Sequence, residues 1–300
     1  MTGTSATCSA ATVETGADAF HAWDAQAARG VGTSTVSRAR ARLERHAALW
    51  RERPLTRDLY HGYHRRIEAE LSEVAGLDLE VGAGHGSFAE SRPGIVSCDV
   101  VPCSWLDCAA DATCLPFADG SLANIVMVDV LHHVAQPVRF FDEAVRTLAP
   151  GGRIVLLEPY VSPISWIAWR YFHEEGIACD ANPLDESVLS SRLRQDDPWD
   201  ANIAAPTLIF WRYLAAFRQR FPTLKVIRRD RFDMLVMPLS GGFERTRLIP
   251  LPVVPLVRAI ERVMAPLSPL LAFRCLIVLE RTSTVGFSTR RLVGASPVVG

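Results

Sequence analysis

Of the 32 lysines and arginines in this 300-residue chain, Lys225 is the only lysine. That imbalance reads as the codon usage of a GC-rich genome, not as chemistry. A basic excess is also missing, since the formal net charge is −1. Phosphate contacts carry most nucleic-acid affinity, so no nucleic-acid partner is expected. No apolar run reaches the roughly 18 residues of a membrane-spanning helix. The first thirty residues lack a basic start followed by an apolar stretch and carry Glu14, Asp18 and Asp24 instead, so no signal peptide is expected. Seven cysteines, an odd number, show no C-x2-C spacing, and Cys98, Cys103, Cys108 and Cys114 are too evenly spread for a zinc knuckle. The expectation is a cytoplasmic protein with no metal site.

What is present is a core-forming composition, 49% apolar, enough for one large α/β domain with additions. Residues 1–33 read as a flexible arm. From Ser34 to Arg53, Val36, Ala39, Leu43, Ala47 and Trp50 fall on one helical face, and Pro54 is expected to close that helix. A second helix, capped by Thr56, follows with the stripe Leu59/Tyr60, Tyr63, Ile67, Leu71 and Val74. These two helices make a unit over 34–75.

From 76 to 160 the pattern changes to short apolar runs alternating with helical stretches. Leu77–Val81, Ile95–Val100, Leu106–Ala110, Leu122–Val130 and Arg153–Glu158 read as strands, and Pro137 opens a helix at its first position. Pro150-Gly151-Gly152 reads as a turn. This order predicts a mostly parallel sheet with helices on both faces. Residues 161–281 add expected helices at Ser162–His173 and Thr207–Phe221 and strands at Leu224–Phe232 and Ala272–Leu279, with Gly176–Asp200 irregular. Leu248–Leu271, dense in leucine and valine, is expected chiefly as core, with an acceptor wall, a dimer surface or a membrane-facing helix as alternatives. Residues 282–300 read as a loose tail.

The chemistry concentrates at the carboxyl ends of the strands, where open α/β sheets bind ligands. Glu80-Val81-Gly82-Ala83-Gly84-His85-Gly86 follows the first strand. Glycines at alternate positions let the backbone turn sharply and approach a ligand closely. An ordinary tight turn is the bland reading. Asp99 ends the next strand, with Val100 beside it, about 20 residues beyond the turn, where an acid can accept ribose hydroxyls. Asp111 and Ala112 precede the fourth strand and can read an adenine edge, or Asp111 simply caps a turn. Asp129, Val130, His132 and His133 lie at the end of the fourth strand. His173, with Glu174 and Glu175, and the segment Trp199-Asp200-Ala201-Asn202 are further candidates. The nine arginines from Arg38 to Arg66 read as a solvated helical face, with an anionic acceptor as the sharper alternative.

With these residues in place, Leu77 to Pro159 resembles the class I S-adenosylmethionine-dependent methyltransferases. The resemblance rests on the glycine turn, the acid of the second strand, "D-A-T-C-L-P-F", "V-L-H-H-V" and "L-A-P-G-G" in this order. The flanks "E-P-Y-V-S-P-I-S", "F-H-E-E" and "L-S-G-G-F" resemble an uncharacterised bacterial subgroup. The family implies a Rossmann-like seven-stranded, mostly parallel sheet, its last strand antiparallel, with a helical N-terminal lid. It implies S-adenosyl-L-methionine as cofactor. Glu80, Gly82 and Gly84 would hold the methionine moiety, Asp99 the ribose, and Asp111 with Ala112 the adenine, with Ala83, Gly86, Val100, Asp129 and Val130 as further cofactor contacts. His132, His133 or His173 would orient a small or lipid-linked acceptor or act as its base. The expected reaction is methyl transfer to oxygen or nitrogen. The alternatives are a catalytically inactive binding module and a nicotinamide-dependent oxidoreductase. The latter would call for G-x-G-x-x-G, where this chain has Gly82, Gly84 and Gly86. A nucleic-acid base methylase would carry D/N-P-P-Y/F in place of Asp129-Val130-Leu131-His132. Oligomeric state is left open, and peripheral membrane contact is allowed.

Overall fold

A computed structural model describes residues 33–185, 198–243 and 245–283. The expected arm up to residue 32, the tail beyond 283 and residues 186–197 of the irregular stretch 176–200 lie outside them. Seven strands form one sheet in the order β3-β2-β1-β4-β5-β7-β6. Here β1 is Leu77–Val81, β2 Val96–Asp99, β3 Cys108–Ala109, β4 Leu122–Val128, β5 Leu148–Pro159, β6 Leu224–Phe232 and β7 Arg274–Arg281. β1 to β5 are parallel, while β7 runs antiparallel to both β5 and β6. The expected seven-stranded sheet with its antiparallel last strand is therefore present. The order reverses between β1 and β4, which opens a crevice at their carboxyl ends.

Burial explains the sequence pattern. β4 and β5 are covered on both faces, which is why their residues read as continuous apolar runs and not as alternation. One face packs under Phe140 and Phe141 of α4 (Pro137–Thr147) with Phe210 and Phe217, and the other under Leu59, Tyr63 and Ile67. β4 ends two residues earlier than its apolar run suggests, because Asp129 adopts a positive φ of 59° and breaks the strand.

α1 (Thr33–Glu52) and α2 (Pro54–Glu68) lie across the carboxyl edge of the sheet. Pro54 opens α2 at its first turn instead of only ending α1, since a proline there forfeits no helical hydrogen bond. Thr56 is consequently inside the helix, not its cap, and its hydroxyl donates to the Gly242 carbonyl at 3.1 Å. α3, Ser87–Ser91, is as short as the distance from Gly86 to β2 requires. Pro150-Gly151-Gly152 is a bulge within β5, not a turn before it: the register jumps from Leu122↔Leu148 to Asn124↔Arg153, and Gly151 takes φ 82°.

α5 (Pro163–Phe172) starts at a capping box between Ser162 and Ser165. The helix expected over 207–221 is broken by a π-helical turn at Leu208–Arg212 before α6 (Leu214–Arg220). After α7 (Val236–Ser240) come α8 (Val254–Val263) and α9 (Ser268–Leu271). The expectation that Leu248–Leu271 is core does not hold. Val263 is 82% exposed, Leu248 74% and Leu256 62%, because this stretch wraps outside the sheet and buries only Val254 fully.

Candidate active site

A cavity of about 670 Å³ opens at the carboxyl ends of β1, β2, β4 and β5, under α1 and α2. Its floor at one end is the turn after β1. Gly82 has φ 72°, and a Cβ there would stand 2.4 Å from the Val130 Cγ2, so only glycine lets the turn lie against the β4 loop. Gly84 and Gly86 are also left-handed, at 55° and 79°. Asp99 staples the turn from β2. One carboxylate oxygen accepts from the Gly84 N–H and the other from the Val101 N–H, both at 2.9 Å. Trp105 donates to the Gly84 carbonyl from the far side at 2.9 Å.

Glu80 is buried, and its Oε2 has no hydrogen-bond partner. Burial, with the Asp99 charge adding to it, pushes its carboxyl up to about 8. Burial also raises Asp99, opposed by the backbone N–H groups it accepts.

Ala83, Val100, Ala112 and Val130 line the cavity. Gly86 does not line it. It forms the left-handed cap of α3, with Trp105 across from its Cα. Asp111 reaches the rim, but its Oδ1 is engaged by the Thr113 N–H and hydroxyl at 2.7 and 2.8 Å. Asp129 is committed to the protein. Arg274 of β7, 3% exposed, pairs with both of its oxygens, and the Tyr60 hydroxyl donates to it at 3.1 Å. The Arg274 guanidinium also lies 5.3 Å over the Tyr63 ring. Tyr60, on the lid, is thus tied to the end of β4 through Asp129.

At the other end of the cavity the structure brings together His132, His133 and His173, and adds Glu175. His132 and His133 sit on a 3-10 turn, Leu131–His133, directly after β4. Fully buried Glu158, at the end of β5, organises that turn. Its Oε1 accepts from the Val130 and Leu131 N–H groups at 2.9 and 2.7 Å, and its Oε2 lies 2.7 Å from His132 Nδ1. His133 Nδ1 is 3.2 Å from the Asp200 carbonyl. The outward Nε2 atoms approach the Glu175 carboxylate at 3.4 Å from His132 and 3.8 Å from His133. His173 Nδ1 accepts from the Glu175 N–H at 3.2 Å. Burial opposes a charge on His132, but its two glutamates prevail and raise it to about 10. Burial and the neighbouring His132 charge lower His133 to about 4. The histidines hold Glu175 at about 2 against its burial.

The roof is aromatic. Phe243 stacks on His46 at 4.9 Å and meets Tyr60 and His85 edge-on. His85 Nε2 is buried without a partner, and burial lowers this ring to about 4. Several arginines of the lid are structural: Arg40 donates to the Pro102 carbonyl, Arg53 to the carbonyl of Gly242, and Arg42 covers the Trp199 ring at 4.0 Å.

A methyltransferase-domain family profile matches residues 79–156. A demethylmenaquinone methyltransferase of Beutenbergia cavernae is 31% identical over 127 residues, covering 38% of this chain and 52% of that protein. An uncharacterized methyltransferase of Mycolicibacterium gilvum is 41% identical over 69 residues, 23% of this chain and 25% of that one. The chain thus spans about half the length, or less, of these curated relatives. A SAM-dependent methyltransferase structure from Archaeoglobus fulgidus superposes with a TM-score of 0.46 at 14% identity, covering 75% of this chain and 94% of that one. The domain match sets aside the nicotinamide alternative. Residues 79–156 match the methyltransferase-domain model, and the sheet around them has the seven strands and the antiparallel last strand that the resemblance implied.

Proposed function

We propose that this protein transfers a methyl group from S-adenosylmethionine to an oxygen or nitrogen of a small or lipid-linked acceptor held under the lid. The observation that carries the reading is the single cavity, with the glycine turn at one end and the histidine–Glu175 group at the other.

The residues fit the cofactor. Glu80 Oε2 is an orphaned buried acceptor where a cationic amino group would find its partner, and Gly82 leaves free the space a Cβ would fill. Glu80, Gly82, Ala83 and Gly84 would hold the methionine part, Asp99 and Val100 the ribose, and Ala112 with the Asp111 backbone the adenine. Val130 would wall the site, and Asp129 would act by fixing Tyr60 and Arg274. Bound there, S-adenosylmethionine supplies a methyl group on a positively charged sulfur. The chain's own task is then positioning, which contributes on the order of 7–11 kcal/mol when reacting atoms are held in line. His132, His133 and His173 orient the acceptor, and the His133 Nε2 lone pair, directed away from Asp200, is available to take its proton. Tyr60, Trp169 and Phe243 exclude water.

Demethylmenaquinone, named for one relative, is the first acceptor to test against this reading, because label on it would sit on a ring carbon and replace the oxygen or nitrogen assignment. α9, with Leu270 exposed, packs beside α5, whose Ile164 and Ile167 are also exposed, and together with the exposed apolar residues of α8 this surface suits a protein that meets its acceptor at a membrane. Purified protein with methyl-labelled cofactor should pass label to demethylmenaquinone or another component of bacterial lipid and small-molecule extracts, and His133→Ala should cut that rate at least about tenfold. Retained cofactor binding with no label on any fraction would favour an inactive binding module instead.

A further inference from the structure

We propose that His132, His133 and Glu175 form a binding site for one divalent transition-metal ion at the acceptor end of the cavity. The sequence alone argued against a metal on the spacing of its cysteines; this group comes instead from two segments that only the fold brings together.

The three ligand atoms lie within 4.8 Å of one another, and the nearest approaches are 3.4 Å from His132 Nε2 to Glu175 Oε2 and 3.8 Å from His133 Nε2 to Glu175 Oε1. Bonds of about 2.0–2.2 Å from imidazole and carboxylate to a central ion place neighbouring ligand atoms about 3–4 Å apart. The polarity of the group points the same way. Glu158 and the Asp200 carbonyl occupy both Nδ1 positions and fix the Nδ1 hydrogens there. Both Nε2 atoms then face the same carboxylate, a gap that a shared proton or a metal ion can bridge. The two rings lie 4.2 Å apart between centroids, tilted by 40°, so that both present their outer nitrogens to one carboxylate. A cation between the three atoms satisfies all of them at once.

Ligand orientation is enforced from behind. His132 donates to a buried carboxylate, the arrangement that orients metal-bound histidines and raises their basicity. The Asn202 N–H holds the His132 carbonyl at 2.8 Å, and Asn202 pairs with Gly176, the neighbour of Glu175. Among the described residues Glu175 pairs with no arginine; its ion-pair partners are His132, His133 and His173. Three protein ligands leave at least one position open, and the group lines the cavity. Two imidazoles with one carboxylate suit zinc or a neighbouring first-row ion over magnesium or calcium. With the ion bound, His133 Nε2 would serve as a ligand in place of the base role proposed above, and an acceptor oxygen can occupy the open position. That last role rests on the proposed methyl transfer; the binding site does not.

The test uses the full chain, stripped with chelator and titrated with Co²⁺ and with Zn²⁺. The expected result is one equivalent bound per chain, with visible Co²⁺ bands of imidazole and carboxylate ligation. Glu175→Gln and His133→Gln should each weaken binding at least about tenfold and change the bands, with thermal unfolding and S-adenosylhomocysteine binding as controls of fold. Folded wild type that takes up neither ion overturns the site, as does a Co²⁺ spectrum that both variants leave unchanged. Metal uptake without S-adenosylhomocysteine binding would keep the site and remove the proposed function. The converse result would do the reverse.

Discussion

At the scale of single residues, the site depends on carboxylates that differ sharply in what they already hold. Glu158 is fully satisfied by two backbone N–H groups and a histidine, and Asp99 by two backbone N–H groups. Glu80 alone among them keeps a buried oxygen without a partner. Its folded pKa, about 8, stands above the ordinary carboxylate value of 4.5. The native state therefore holds this proton where the unfolded chain has released it, and stability falls as pH rises from the ordinary value through about 8. Thermal unfolding of the free protein should decline over that window, and less so in Glu80→Gln. A cationic amino group binding beside Glu80 would favour its ionised form. S-adenosylhomocysteine binding near pH 7 should thus release a proton, visible by calorimetry in buffers of different ionisation enthalpy and absent in Glu80→Gln. Binding without proton release in the wild type would remove Glu80 from the cofactor's contacts.

At the scale of elements, the β1 turn and the end of β4 are one unit because Gly82 and Val130 are in contact. Gly82→Ala combines a left-handed φ with a Cβ 2.4 Å from a side-chain methyl, a strain on the order of 1–3 kcal/mol. The variant should unfold several degrees lower and lose S-adenosylhomocysteine affinity. Gly84→Ala, where the nearest side-chain atom is 3.7 Å away, should suffer less. Equal behaviour of the two would contradict the packing account. Elements were legible in the sequence where their signal is local. β1, β6, α4 and the glycine turn follow from apolar period and from Pro and Gly placement. Pro54 and the Pro150–Gly152 bulge were misread because proline and glycine mark a break without saying on which side the element lies. The roles of Glu158, Arg274 and Tyr60 were not legible, Tyr60 reading only as part of a helix stripe, because each acts through a partner far away in the chain: Glu158 on His132, and the other two on Asp129. Glu175 stood among the candidates only as part of a charged run, and its approach to the histidines depends on the bridge between Gly176 and Asn202.

At the scale of the whole molecule, the sheet order places the cofactor-family residues and the histidines along one edge, and the lid helices close over both. On the outside, Leu248, Leu256, Ile260, Val263, Leu267 and Leu270 leave more apolar surface exposed than a folded core explains. Sedimentation with anionic liposomes should carry part of the protein down, and Leu256→Glu with Val263→Glu should abolish it; equal pelleting with and without lipid would remove the membrane reading. The central claim is that the cavity at the carboxyl edge binds the cofactor. Calorimetric titration with S-adenosylhomocysteine, wild type beside Asp99→Ala, tests it most directly. The account predicts one site of micromolar affinity, weakened at least about tenfold when the Asp99 staple is removed from the glycine turn. Folded wild type that binds no S-adenosylhomocysteine, or binding that Asp99→Ala leaves unchanged, would contradict it.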